Sequence, residues 1–476
     1  MDSSKEEDEE IVYPVSPTGQ YFNSTVFCAY VLCVLESQIP IDDSPTMSLL
    51  KDVFLPINSR FSSIMVDRNG KKTWKKVTVK LEEHIKVPVF PPLMSLQSYD
   101  KYFDDYLCRI ATERSAEDQK KPLWDIHIIK YPKSNGAAGS LIFRLHHALG
   151  DGYSLMGALF SCLQRADNPT LPLTFPMNRR LSDKKRENES MFEKMNSFFS
   201  SAINTTLDFG ESLLKSTVVQ DHKTPIRSGD EGIKFRPISI TNITFPLDYI
   251  KEIRSKLGVT VNDVITGIIF FGIRLYMQEK NYESRKANST ALVMLNTRNI
   301  AGYQSVKEMI KIDAKAPWGN RISFLHVSIP KLSSATFANP LQFVFKAHQI
   351  IKMKRYSLGV LLTGSLLDMM KKFKGPEAVA RHIYRTMGNT SLSVSNLVGP
   401  VEQMALANHP AKDIYFTMTG DPQSLTITIM SYMENLNVTL KAEKGFIDEQ
   451  KFKSCMENAY EMILKAAWDI PSKKKI

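Results

Sequence analysis

The stretch LIFRLHHALGDG, from Leu141 to Gly152, decides how this chain is read. Leu141, Phe143, Leu145 and His147 fall on one face of a two-residue period, with Arg144 and His146 on the other, which is the pattern of a β-strand. Gly150 and Gly152 break the strand, and helical character returns over Tyr153–Gln164. The strand holds a histidine at its end, with an aspartate four residues on and glycines around it. That arrangement suits a loop that presents a base: the strand fixes the backbone, and the glycines allow a sharp exit and close approach of a substrate. With an unperturbed pKa of about 6.5, histidine is the natural general base near neutrality. The structural alternatives stand beside this reading. Adjacent histidines more often pack than react, and Asp151 read alone is a turn residue. A Ser-His-Asp hydrolase has less support, because no G-x-S-x-G elbow occurs; the nearest string, Gly152-Tyr-Ser-Leu-Met156, lacks its second glycine. A zinc site has little, because neighbouring residues on a strand point to opposite faces.

Working outward, residues 1–12 read as an acidic tail. Pro14, Pro17 and Gly19 form a turn, and an apolar run containing Cys28 and Cys33 continues to about residue 36. Met47–Val53 and Leu96–Glu113 read as helices. Trp74–Leu81 reads as a strand, with Val77, Val79 and Leu81 alternating against Lys76, Thr78 and Lys80. This first unit spans 13–166. Residues 167–235 differ. Pro169, Pro172 and Pro176 precede a basic cluster (Arg179, Arg180, Lys184, Lys185, Arg186). A candidate amphipathic helix follows, with Phe192, Met195, Phe199, Ile203 and Leu207 at helical spacing. The segment reads as a crossover linker. The second unit, 236–470, has strands at Ser239–Phe245, Thr290–Leu295, Arg321–Ile329, Ser391–Asn396, Ile414–Thr419 and Ser424–Ser431. Its helices are Asp248–Leu257, Asp263–Glu279 (capped by Thr260 and Asn262), Leu341–Arg355, Ser357–Phe373 and Ile447–Ala467. A basic tail, 471–476, closes the chain. The reading is two α/β domains of comparable size.

Composition agrees with a folded chain of this kind. At roughly 150 residues per domain, 476 residues make two or three domains. Hydrophobic residues at 43% and charged residues at 23% exclude global disorder. The net charge is +11, but the first ten residues carry −5, so the remainder carries +16. A body this basic points to an anionic partner. Nucleic acid is set aside, because no aromatic RNP-like segment or zinc spacing appears. Five cysteines without a CxxC indicate reduced thiols in a cytosol-facing protein. No uninterrupted apolar run reaches the roughly 18 residues of a membrane span. Val26–Leu35 is too short and Val264–Tyr276 is interrupted by Arg274, so both read as buried elements.

The string HHxxxDG, His146 to Gly152, resembles the active-site motif of coenzyme-A-dependent acyltransferases. Further segments narrow the resemblance to the plant wax ester synthase/diacylglycerol acyltransferase family. They are Ser16-Pro-Thr-Gly-Gln20, Pro122-Leu123-Trp124, Asn262-Asp263, Asn296-Thr-Arg298, Gly319-Asn320, and Ser395-Asn396 with Gly399-Pro400. They occur in the family's order over residues 13–470. The DFGWG of soluble plant acyltransferases is missing; the DFG at Asp208–Gly210 lies in the linker. The resemblance implies an α/β (α+β) fold of two chloramphenicol-acetyltransferase-like domains with mixed sheets, joined by a crossover linker, with the active site in a tunnel at their interface.

It also implies roles. His147 acts as general base in direct transfer of an acyl group from acyl-CoA to a fatty alcohol or diacylglycerol. Asp151 turns away from substrate and pairs with an arginine, for which Arg298 is the candidate; otherwise Arg298 is a surface residue. Gly152 gives the backbone room, and His146 supports. Asn262 is either an N-cap alone or a group near the reaction centre. Pro122, Leu123, Trp124, Ser395 and Asn396 are expected along the acyl channel, with packing as the alternative for the first three. No metal and no cofactor beyond acyl-CoA is expected. The basic cluster and amphipathic helix within 178–214 are expected to meet a membrane surface; packing across the domains is the alternative. The Lys473-Lys474-Lys475-Ile476 end is either an exposed tail or a dilysine signal, and the family favours the endoplasmic reticulum, cytosol-facing, with the plasma membrane as a second location. The rival functions are a cytosolic acyltransferase for small alcohols or amines and an inactive lipid-binding relative.

Overall fold

The computed structural model describes residues 12–68, 71–113, 120–176, 210, 213–214, 217–298, 304–311, 314, 317–355 and 359–471. The basic cluster at 179–186, the helix expected over 192–207 and the last five residues lie outside the described residues.

The strand Gly139–His146 is buried at all eight positions. It sits near the middle of a seven-stranded mixed sheet covered on both faces. Edge to edge, the sheet runs Ile85–Lys86, Trp124–Ile129, Gly139–His146, Tyr30–Ser37, His409–Thr419, Met404–Leu406 and Gln164–Arg165. Leu141, Phe143 and Leu145 pack with Leu155 and Leu159 of the helix Gly152–Ser161. Ile142, on the other face, packs with Phe103, Leu107 and Ile110 of the helix Leu96–Thr112. Arg144 shares that face. It is buried, and its two terminal nitrogens donate to Asp125 at 3.0 Å and to the Glu113 carbonyl at 2.7 Å.

A six-stranded mixed sheet forms the second half. Its order is Ile322–Ser328, Thr290–Asn296, Leu392–Val398, Leu425–Tyr432, Asn435–Glu443 and Ile238–Pro246. The helix Val261–Lys280 is its core. Thr260 caps it reciprocally with Asp263. Gly267 and Gly272 let its neighbours close in: a Cβ on Gly267 would sit 2.7 Å from Val344 Cα, and one on Gly272 only 3.1 Å from Met456 Cα. Arg274, which interrupts the apolar run, is buried because the carbonyls of Ala287, Ile329 and Pro330 take its guanidinium. A three-stranded sheet, ordered Val12–Pro14, Lys71–Lys76, Ser63–Arg68, completes the β-structure.

The sequence expectations need several corrections. The strand from Trp74 ends at Lys76, where pairing to Ser63 stops; beyond it Val77–Lys80 has no partner strand, and Leu81 turns inward. The helix after Ser357 extends over Gly359–Asn389 with a break at Gly375, whose φ of 79° precedes Pro376. Asn262 is not the cap but the second helical residue. Strands Trp124–Ile129 and Asn435–Glu443 were not anticipated.

The boundaries of the two units also differ. Residues 404–419, inside the expected second domain, form strands of the first sheet, and Ile414 pairs directly with Leu35. At the end of the expected linker, Asp221 is buried against the second sheet. Its carboxylate accepts from the Thr290 N–H at 2.6 Å and from Ser391 Oγ at 2.7 Å.

Candidate active site

His147 follows the strand directly, and its N–H donates to the Ala29 carbonyl at 2.8 Å, so backbone pairing with the segment beside it holds it. Its side chain lies between the two halves and is 3% exposed. One face of the ring stacks on Phe22 at 4.0 Å. Phe22 ends the short helix Pro17–Phe22, capped by Ser16, which explains the place of the SPTGQ segment. Nδ1 of His147 lies 2.8 Å from Asn320 Oδ1, and Asn320 Nδ2 donates to the His147 carbonyl at 2.8 Å. Burial pushes the imidazole pKa below the ordinary histidine value; the Asp151 charge, the residue's own carbonyl and Asn320 offset this only in part. The ring is therefore neutral near pH 7, the form a base requires.

His146 points elsewhere. Its Nδ1 accepts from the Ala148 N–H at 3.1 Å, its Nε2 lies 3.4 Å from Cys28 Sγ, and its ring meets Tyr30 edge-on. It stabilises the turn and offers no free nitrogen to a substrate.

Asp151 caps the helix Gly152–Ser161 through the Ser154 N–H at 2.9 Å. Arg298 grips the same carboxylate with two nitrogens, at 2.7 and 3.2 Å, and both side chains are 1% exposed. The Arg321 N–H adds a further bond at 2.7 Å. Arg298 also reaches the carbonyls of Pro317 and Gly319 and Ser154 Oγ. The pair thus ties the histidine loop to the second-half loop at 317–321. Trp318 reinforces the tie by donating to the Leu149 carbonyl at 2.9 Å, a carbonyl that Arg60 of the first half also meets at 2.9 Å.

Gly152 is marked by a close approach rather than by an unusual backbone angle. Its φ is not positive, but a Cβ there would lie 3.2 Å from Leu397 Cδ1. Leu397 belongs to the second-half strand Leu392–Val398, so the glycine lets the two halves approach. Beside Leu397, Asn396 donates to Asn262 Oδ1 at 3.1 Å. Asn262 and Asn396 are therefore brought together at the seam; among the described residues no hydrogen bond joins either to His147. Ser395 is half-buried one residue earlier.

Pro122, Leu123 and Trp124 are buried, and the Leu123 carbonyl accepts from the His146 N–H at 3.0 Å. Trp124 stacks on His84, meets Phe54 edge-on and donates its indole N–H to the Phe61 carbonyl at 2.8 Å. Leu123 and Trp124 belong to the core cluster of the first sheet.

Sequence reasoning missed the site role of Phe22 and Asn320. Gly319-Asn320 was visible as a motif, but nothing local links a residue to one 173 positions away. It also missed the apolar cluster next to His147. That cluster joins Tyr21, Phe22 and Phe27 from the first half to Leu292, Phe324, Val379 and Ile383 from the second.

Two mixed-sheet halves, with the second histidine of HHxxxDG buried at their seam, define an acyl-CoA-dependent acyltransferase. The wax ester synthase/diacylglycerol acyltransferase catalytic domain matches residues 109–265, and the WS/DGAT C-terminal domain matches residues 318–464. The chain belongs to the wax ester synthase/diacylglycerol acyltransferase family. Among its relatives in Arabidopsis thaliana, wax ester synthase/diacylglycerol acyltransferase 11 is 29% identical, over 92% of this chain and 91% of the relative. Wax ester synthase/diacylglycerol acyltransferase 4 is 27% identical, over 94% and 88%. The solved wax ester synthase/diacylglycerol acyltransferase from Marinobacter aquaeolei VT8 shares the fold, with a TM-score of 0.60 at 14% identity, covering 96% of this chain and all of that one. The starter condensation domain of rhizomide synthetase, solved in complex with C8-CoA, is similar at TM-score 0.55 and 12% identity, over 95% and 92%.

Proposed function

We propose that this enzyme esterifies long-chain fatty alcohols to wax esters, with diacylglycerol as a second acceptor, by direct transfer from acyl-CoA. The observation that carries the proposal is a neutral, buried histidine beside an apolar cluster built from both halves. His147 takes the hydroxyl proton as the alcohol oxygen bonds to the thioester carbonyl carbon. The tetrahedral oxyanion collapses, the C–S bond breaks, and the CoA thiolate takes the proton back from His147. Protons balance within the ternary complex, so the scheme uses no prosthetic group or metal.

General-base assistance is worth about 10²–10⁴-fold, or about 3–5 kcal/mol of barrier. H147A is expected to fold normally and lose that much turnover. Expression in yeast lacking its own neutral-lipid synthases, fed fatty alcohols of several lengths, reads the product. Wax ester from the wild type and none from H147A supports the assignment. Full turnover by purified H147A removes it.

The site of action follows from substrate chemistry. Acyl chains and their esters are insoluble, and the 178–214 sequence combines basic and apolar residues. These features support a cytosol-facing enzyme bound at the endoplasmic reticulum surface. Among the described residues no single helix is long and apolar enough to cross a membrane. Deleting 178–214 is expected to abolish flotation with anionic liposomes; unchanged flotation excludes this segment.

A further inference from the structure

We propose that Asn320 is the positioning residue that sets the tautomer of His147, so that Nε2 is the nitrogen that takes the alcohol proton. This rests on His147 being the base and deepens that reading.

The argument uses only donor and acceptor chemistry. The His147 carbonyl can only accept, so Asn320 must present its NH₂ group there, at 2.8 Å. That turns Oδ1 toward the imidazole, 2.8 Å from Nδ1. A carbonyl oxygen can only accept, and the residue's own carbonyl, which also meets the ring, is an acceptor too, so Nδ1 carries the proton. In a neutral imidazole Nε2 then holds the lone pair. Phe22 fixes the ring plane from the other side.

The aspartate of the motif does not do this work. Both Asp151 oxygens are engaged, Oδ1 by Ser154 and Arg298, Oδ2 by Arg298 and the Arg321 N–H. A carboxylate against Nδ1 would stabilise the imidazolium and raise its pKa. An amide orients the ring without adding charge, so the base stays unprotonated at neutral pH. Asn320 belongs to the second half, directly after Gly319, whose backbone anchors Ser154 and Arg298. One loop thus carries the tautomer-setting amide and the contacts that hold the histidine loop in place.

Among the described residues, the titratable and charged groups around His147 are His146, Cys28, Asp151, Arg298, Arg321 and Tyr21, and of the two histidines Asn320 bonds the ring of His147. Asp151 and Arg298 form their pair, and Arg321 is exposed at its side chain. Burial raises the Tyr21 hydroxyl above its ordinary range, so it does not titrate near neutrality. Phe22 does not titrate. A change of acid limb on mutating Asn320 therefore reports His147.

The test compares N320A and N320D with wild type and H147A, using purified enzyme, acyl-CoA and a fatty alcohol. N320A is expected to lower kcat by at least about tenfold, within the 10²–10⁴-fold worth of the base, with the KM for acyl-CoA little changed. N320D is expected to raise the acid limb of kcat/KM by about 1–3 pH units, the shift an opposing charge produces at contact. Histidine-selective ¹⁵N spectra, with His147 assigned by its absence in H147A, should show one Nδ1–H tautomer in wild type and a mixture in N320A. This spectrum decides the matter if N320D fails to fold. Wild-type kcat in N320A, an unmoved acid limb in folded N320D, or an unchanged single tautomer in N320A overturns the proposal. If H147A itself keeps full turnover, the base assignment fails instead, and the two failures are told apart.

Discussion

At the residue scale, His147 combines burial, a lowered pKa and, among the described residues, an Nε2 with no hydrogen bond. Its burial depresses its pKa, and this sets a direction for pH dependence. The active form is the unprotonated one, so kcat/KM is expected to be flat at neutral pH and to fall only below the ordinary histidine value of about 6.5. Linkage carries the same sign. The unfolded chain binds the proton at higher pH than the folded one, so this group's contribution to stability falls as pH drops below about 6.5. An acid limb centred above pH 7 in wild-type kcat/KM would contradict the burial argument. His147 was legible from its motif. Its partners were not, because Phe22 and Asn320 come from turns 125 residues before and 173 after it in the chain.

At the element scale, two loops and one helix end do the assembly. The Asp151 carboxylate caps a helix in one half and holds an arginine from the other. Removing one partner strands the other charge in a site that is 1% exposed. R298A is therefore expected to lose about 3–5 kcal/mol of stability, read from denaturant midpoints, and to lose activity beyond that as the histidine loop loosens. A stability change under about 1 kcal/mol, the usual worth of a surface pair, would show that the pair is not buried in solution. The pairing was anticipated from the family resemblance; the Ser154, Gly319 and Arg321 contacts around it were not. Gly152 makes the same point about scale. It looks like a turn residue in sequence, yet what distinguishes it in the structure is the close approach of the Leu397 side chain.

At the scale of the whole molecule, the halves are not separable. Strands from residues 404–419 complete the first sheet beside Tyr30–Ser37, and the base at the seam is oriented by the opposite half. One cooperative thermal transition is expected for the full chain. Residues 217–476 expressed alone would leave the 404–419 strands without their neighbour, exposing unpaired edges, and are expected to aggregate or melt without cooperativity. Co-expression with residues 1–176 is expected to restore a cooperative melt. A wild-type midpoint for 217–476 alone would show that the exchange of strands is dispensable.

The sequence by itself determined the chemistry-bearing motif, the two α/β units, most of the long helices and the family. These depend on local periodicity and on short strings whose residues act together in the chain. Only the tertiary structure decided which half each strand serves, what the motif glycine packs against, that Trp124 is core, and which amide faces the base. Those are contacts across more than a hundred residues, fixed by packing and by matching donors to acceptors, and no local period encodes them.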